Sequence, residues 1–277
     1  MKDKIESYFK GHGTHRLYYE SVSPKNPRAV LILVHGLNEH IGRYEHVVDF
    51  FKQHYTVYLF DQRGHGQSDG IRSHVDSFDE YVEDLSEFVK LVHKKEGKKK
   101  IFLLGHSMGG QIVVNYLARH PEAPLAGFIT SSANLRVKIK VHPLKKIAGL
   151  KLARYFPKYM LNNEIDPGLI SRDKKVVEKY KVDPMVSKKV SVRLIAEMFA
   201  NQQDLIPKAD KIQLPGFLMH GGEDGISDKN GTVDFYERLA AKDKTLKVYE
   251  GMYHEIFNEI GYESVLKDVD AWIKNRS

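Results

Sequence analysis

Gly105-His106-Ser107-Met108-Gly109, followed at once by Gly110, carries the clearest chemical content in this 277-residue chain. A short apolar run at 101–104 leads into it and a helical pattern follows, which puts Ser107 on a sharp strand-to-helix turn. Such a turn strains the serine backbone and crowds its flanks. Glycine two residues before and two residues after removes the crowding. The turn lifts the hydroxyl off the strand ends and aims the next helix's N-terminus at it. A serine hydroxyl becomes a useful nucleophile only when a base takes its proton, so an imidazole and an orienting acid must be found elsewhere.

On scaffolds of this kind the acid follows the serine and the histidine comes last. Residues 217–224 read as a strand running into a polar turn, and Asp224 lies just past the strand's C-terminal edge, where parallel sheets build their sites. The next strand, 244–250, runs to Gly251-Met252-Tyr253-His254, so His254 falls at the same edge. The chain has 14 histidines, so a histidine at a strand end means little by itself. Chain order and a shared edge select Ser107, Asp224 and His254. His220 is expected to pack at the top of its strand; Glu223, one residue short of the edge, and Asp228, further out on the loop, are the rivals to Asp224.

Acyl transfer also needs donors for the oxyanion, and losing one typically costs about 10²–10³ in rate. The N–H of Met108, at the helix start, is one candidate. The loop Val34-His35-Gly36-Leu37-Asn38-Glu39-His40 offers the second at Leu37. His35 reads as a clasp for this loop rather than a catalyst, with Glu39 and His40 placed to hold it by hydrogen bonds.

The elements that must position these groups follow from periodicity. Short apolar runs at 29–35, 55–61, 100–105, 127–131, 215–220 and 245–250 alternate with helical patterns at 78–94, 111–120, 230–241 and 262–274. Near-continuous apolar strands alternating with helices predict an α/β fold with a mostly parallel sheet covered on both faces. Residues 16–23 add an antiparallel strand at the start. From 134 to 213 the pattern is helical without a convincing strand, which predicts a helical cap inserted into a core made of 1–133 and 214–277. The lysine-rich stretch at 94–100 most simply ends a helix, with Gly97 at its C-cap.

These phrases resemble the monoglyceride lipases and the related bacterial lysophospholipase-like members of the α/β-hydrolase superfamily. The resemblance rests on residues 35–40, on Asp61-Gln62-Arg63-Gly64-His65-Gly66-Gln67-Ser68, on 105–109 and on 243–254. It extends to the cap phrases Leu169-Ile170-Ser171-Arg172 and Tyr180-Lys181-Val182-Asp183-Pro184. It implies Ser107 as nucleophile, Asp224 and His254 as its partners, and Leu37 and Met108 as oxyanion donors. It further implies an ester substrate with one fatty chain and a cap over an acyl channel; hydrolysis by such a serine, histidine and acid needs no cofactor. Mammalian members carry cysteines near the glycerol end of the site; this chain has none.

Composition narrows the rest. With 42% hydrophobic and 29% charged residues the chain is an ordinary globular protein. The absence of cysteine excludes disulfides, thiolate zinc sites and a cysteine nucleophile. His254-Glu255 begins like a zinc-binding helix motif, but Asn258 stands where the second histidine belongs, and Asp69 replaces the third glycine of a dinucleotide fingerprint after Gly64-His65-Gly66. Neither a metal nor a nucleotide is expected. The longest apolar run, 29–34, is far short of the roughly 20 residues of a membrane span, and the N-terminus lacks the apolar core of a signal peptide; a cytoplasmic protein is expected.

Charge is uneven. Residues 136–160 carry eight basic side chains (Arg136, Lys138, Lys140, Lys145, Lys146, Lys151, Arg154, Lys158) and no acidic one, against +7 for the whole chain. Leu144, Ala148, Leu152, Tyr155 and Tyr159 recur there at helical spacing. A basic amphipathic helix suits an anionic lipid surface, and peripheral contact through 136–160 is an expectation; nucleic-acid binding is not, for want of aromatic stacking motifs. Beneath the cap, Leu150, Phe156, Leu161, Ile195, Met198 and Phe199 are candidates to wall the acyl channel.

Overall fold

The structure is a computed structural model that describes residues 4–138 and 143–277, with side chains left aside at 143–148. Lys140 and the side chains of Lys145, Lys146, Leu144 and Ala148, singled out above, lie outside the described residues.

Eight strands form one sheet: β1 (Ile5–Lys10), β2 (Arg16–Val22), β3 (Ala29–Val34), β4 (Tyr55–Phe60), β5 (Ile101–His106), β6 (Gly127–Ser131), β9 (Gly216–Gly221) and β10 (Lys244–Tyr249). Their order is β1-β2-β4-β3-β5-β6-β9-β10. The β1–β2 and β2–β4 pairs are antiparallel and all others parallel. The α/β architecture predicted from the apolar runs is the one observed.

Each residue of β3 is buried, and its side chains divide by the two-residue pleat. Ala29, Leu31 and Leu33 pack with Phe51, Val265, Val269 and Trp272 from helices α1 (Glu45–Phe51) and α9 (Tyr262–Lys274). Val30, Ile32 and Val34 pack on the other face with Leu85, Val89, Ile112 and Phe235 from α2 (Asp79–Glu96), α3 (Met108–Arg119) and α8 (Lys229–Arg238). A strand buried on both faces has no polar side to show, which is why its sequence is an unbroken apolar run. α2 ends at Gly97, whose φ of 66° no β-branched residue tolerates, and the lysines around it finish the helix as expected.

Between β6 and β9 the chain runs through α4 (Pro143–Tyr155), α5 (Lys174–Val182), α6 (Val192–Gln202), the short α7 (Leu205–Lys208), and a two-stranded antiparallel ribbon of β7 (Met160–Asn162) and β8 (Lys189–Ser191). The sequence reading missed that ribbon: three residues per strand leave no measurable alternation. It also missed β1, an edge strand mostly open to water, which is recruited by its register against β2 and by Phe9 packing among Tyr19, Phe60 and Phe88.

The segment between β6 and β9 lies across the C-terminal edge of the sheet. Ser187 donates its N–H to Asn38 O at 3.0 Å, and Glu255 donates to Ile170 O at 2.8 Å. Gln111, on α3, reaches Met198 O at 3.0 Å. The loops after β3 and β10 and the helix after β5 therefore all touch it. No helix among the described residues is long and apolar enough to cross a membrane.

Candidate active site

Ser107 bridges β5 and α3 with φ 51° and ψ −118°, a conformation that L-residues rarely adopt. The end of β6, the loop after it and the first turn of α3 hold it there. Its N–H donates to Ser131 O at 3.0 Å, and its carbonyl accepts from the N–H groups of Gln111 and Asn134 at 3.1 and 3.0 Å. The glycines are required by contact: a Cβ on Gly109 would sit 2.2 Å from Val34 O, and one on Gly105 2.5 Å from Gly109 O. α3 can then lie directly against the ends of β3 and β5.

Ser107 Oγ is 2.9 Å from His254 Nε2, and His254 Nδ1 is 2.7 Å from Asp224 Oδ2. A carboxylate only accepts, so Nδ1 carries the proton and Nε2 receives the serine hydroxyl. Asp224 is itself fixed, its Oδ1 accepting from the N–H groups of Ile226 and Ser227 at 2.8 and 3.0 Å. The rivals are elsewhere: Asp228 caps α8 by accepting from Asn230 N–H at 3.0 Å, and Glu223 is exposed.

His220 is buried at the top of β9, as expected, but it has a part the sequence reading did not give it. Its Nε2 lies 3.1 Å from the same Asp224 Oδ2, and its Nδ1 lies 2.8 Å from Thr232 Oγ1. Asp224 thus takes hydrogen bonds from two histidines. The position four residues before the acid was the only trace of this in the sequence.

Electrostatics follow from that packing. Burial alone would favour a neutral Asp224, but the His254 charge and the hydrogen bonds of both histidines outweigh it and hold the carboxyl well below its usual range. Burial disfavours charge on His254 too, yet Asp224 prevails and raises the imidazole above its ordinary value. His106, its ring 5.0 Å from that of His254, is pushed by burial and by that neighbour down to about 3 and stays neutral.

The loop after β3 closes on the serine. A Cβ on Gly36 would lie 3.2 Å from that of Ser107. His35 clasps the loop in its neutral form, Nδ1–H donating to Gly36 O at 2.7 Å while Nε2 accepts from Gln62 N–H at 3.0 Å. Glu39 accepts from Gly36 N–H at 2.6 Å, and His40 caps the following turn through Gly42 N–H and reaches Asp183 at 2.9 Å. Leu37 is half-buried against the core and Met108 opens α3. Among the described residues no protein acceptor takes the N–H of either.

The six side chains named as channel walls divide. Ile195 and Met198 pack against the main core from α6 and Phe199 is half-buried. Leu150, Phe156 and Leu161 are instead 50%, 64% and 40% exposed, on the outer surface. Their composition is the same; only packing separates the half-buried set from the exposed one.

Over residues 25–261 the sequence matches the family model described as serine aminopeptidase, S33. The chain belongs to this family of serine hydrolases. A Mycolicibacterium smegmatis protein named monoacylglycerol lipase is 35% identical over 98% of this chain and 97% of its own length. Phospholipase YtpA of Bacillus subtilis is 29% identical over 89% of this chain and 95% of its own. The crystal structure of Paleococcus ferrophilus monoacylglycerol lipase superposes with a TM-score of 0.85 at 32% identity, covering 94% of this chain and 99% of that one. The resemblance read from the motifs is borne out, and so is the α/β-hydrolase fold.

In this serine hydrolase the tight seat of α3 is open to direct measurement. Gly109→Ala should lower stability by about 1–3 kcal/mol through overpacking against β3, read as a fall in Tm of at least several degrees. A variant melting with the wild type would show that the helix has room to move.

Proposed function

We propose that this chain is a carboxylester hydrolase for single-chain lipid esters, a monoacylglycerol lipase that extends to lysophospholipids. The observation that carries the proposal is the unbroken hydrogen-bonded chain from Ser107 through His254 to Asp224, in a family whose relative of matching length is named a monoacylglycerol lipase. Ser107 attacks the ester carbonyl as His254 takes its proton, and Asp224 orients the ring and supports the imidazolium. The N–H groups of Leu37 and Met108 receive the oxyanion. His254 then protonates the departing alcohol, and water activated by the same ring hydrolyses the acyl-enzyme. No step calls for a cofactor.

Residues 134–213 are proposed as a cap, with Ile195, Met198 and Phe199 of α6 facing the acyl chain. The outer face of the cap has a different use. Leu150, Tyr155, Phe156 and Tyr159 are 50%, 70%, 64% and 56% exposed, and the exposed Lys151, Arg154 and Lys158 lie among them. Rings able to enter an acyl boundary beside cations for headgroup phosphates are the components of a peripheral docking surface. It would deliver an amphiphilic substrate from its bilayer or micelle.

The deciding experiment compares monoacylglycerols of graded length with lysophosphatidylcholine, diacylglycerol, short p-nitrophenyl esters and an aminoacyl anilide. Monoacylglycerols should be cleaved best, and Ser107→Ala should abolish both turnover and fluorophosphonate labelling while remaining folded. Preference for the anilide would move the chain to the peptidase side of its family.

Neutral His254 is the base, and Asp224 raises its pKa. kcat/KM should therefore be full at alkaline pH and fall as pH drops through a value at or above the ordinary histidine pKa of about 6.5. A profile flat to pH 4 would remove His254 from that role.

For the cap surface, co-sedimentation with phosphatidylglycerol vesicles at low salt should exceed that with phosphatidylcholine, and weaken in a Tyr155→Ser/Phe156→Ser variant. Equal, negligible retention on both vesicles would end the docking idea.

A further inference from the structure

Around Arg43, on the turn that follows the loop after β3, lies a buried ionic cluster that the mechanism above does not use. Arg43 Nη1 donates to Glu39 Oε2 at 2.7 Å and to Glu255 Oε1 at 2.8 Å, and Nη2 donates to Glu255 Oε2 at 2.6 Å. The guanidinium lies 4.8 Å above the Tyr180 ring of α5. Glu39 Oε1 accepts from Gly36 N–H at 2.6 Å and from Tyr44 Oη at 2.8 Å, while Glu255 Oε2 also takes Asn258 Nδ2 at 3.0 Å. The side chains of Glu39, Arg43 and Glu255 are 3%, 9% and 6% exposed.

The connectivity gives this cluster meaning. Glu39 grips the N–H of Gly36, the residue before Leu37; Glu255 directly follows His254. One planar guanidinium, through its rigid fork, sets the distance between the oxyanion loop and the loop carrying the base. A buried ion pair is costly to desolvate and is often no more stabilising than apolar packing, so its retention here calls for another reason. Two carboxylates on one cation also leave a surplus negative charge, and one of them belongs to Glu255, the residue that follows the histidine that turns positive in the proposed reaction.

We propose that Arg43 is a positioning residue for ester hydrolysis: with Glu39 and Glu255 it locks the Gly36–Leu37 turn to His254, and the surplus charge of the cluster stabilises the imidazolium. The electrostatic environment agrees with the geometry. Burial would favour a neutral Glu39, but Arg43 and the Gly36 N–H outweigh it and bring its carboxyl down to about 2. Both Glu255 and Glu39 act on His254 in the direction that favours its charge. The other ionisable groups around that ring are Asp224 and, behind it, His220 from β9 and its turn, and neutral His106 from the end of β5. Arg43 and Tyr180 stand on the far side of the two glutamates.

Two variants separate geometry from charge. Arg43→Lys keeps the charge and loses the fork. In it kcat should fall about 10–100-fold, the cost of a small misplacement, with KM within about threefold and the acid limb of the pH profile unmoved. Glu255→Gln keeps the shape and removes the surplus charge; its acid limb should shift to lower pH by about half a unit to one unit, the direction in which loss of a nearby negative charge moves an imidazole. Rates are normalised to active sites counted by fluorophosphonate, so that a partly folded variant is not mistaken for a slow one. If both variants match the wild type in kcat and in acid limb, the proposal is overturned. A fall in Tm with both kinetic readouts unchanged overturns it equally, leaving a purely structural cluster. The proposal rests on the Ser107–His254 reading, and the two fail differently: turnover surviving in Ser107→Ala sinks that reading, whereas a dead Ser107→Ala beside wild-type kinetics in both cluster variants sinks only this one.

Discussion

One hydrogen bond, from Ser107 Oγ to His254 Nε2, spans 147 positions of chain. It can be held at 2.9 Å only if two strand ends and two loops are themselves fixed. The rest of the site is organised around that demand. The sheet sets the edge, because β5, β9 and β10 run parallel and release their loops on the same side. The elbow sets the height of the serine, and its strained backbone is tolerated because Ser131, Gln111 and Asn134 all bind its peptide groups. Two backbone N–H groups and a second histidine then pin Asp224, so the imidazole has one resting place.

Burial makes these contacts strong and also makes errors costly. Inside the protein an unpaired carboxylate is expensive, and each buried acid near the site has its partners: Asp224 with His254 and His220, Glu39 and Glu255 with Arg43. The neighbouring histidines do the opposite work. His35 and His106 are driven neutral by their surroundings, so they hold the loop and line the site without adding positive charge beside His254. In the proposed reaction the proton is taken up by His254, which Asp224 raises above its ordinary value.

The sequence was legible where one residue type has few alternative explanations. Glycine on both sides of a serine after an apolar run predicted the elbow, and the overlap a Cβ would create at Gly105 and Gly109 is the physical reason for it. Fully buried strands announced themselves as apolar runs, whereas β1, open to water on its edge, and the three-residue strands β7 and β8 did not. Asp224 could be preferred to Asp228 from its place at the strand end, and the capping bond of Asp228 accounts for the rival. Arg43 and Glu255 stand 212 positions apart and their pairing left no local pattern.

By itself, then, the sequence determined the alternation of strand and helix and the sharp turn that carries Ser107, because those depend on local periodicity and on what a backbone will sterically allow. Tertiary structure alone decided that His220 shares the acid, that Arg43 ties two loops together, and that Leu150 and Phe156 face water while Ile195 and Met198 are partly buried. Those are relations between distant segments. An apolar or charged side chain has the same letter in either setting, and only the packing around it fixes which neighbour it meets.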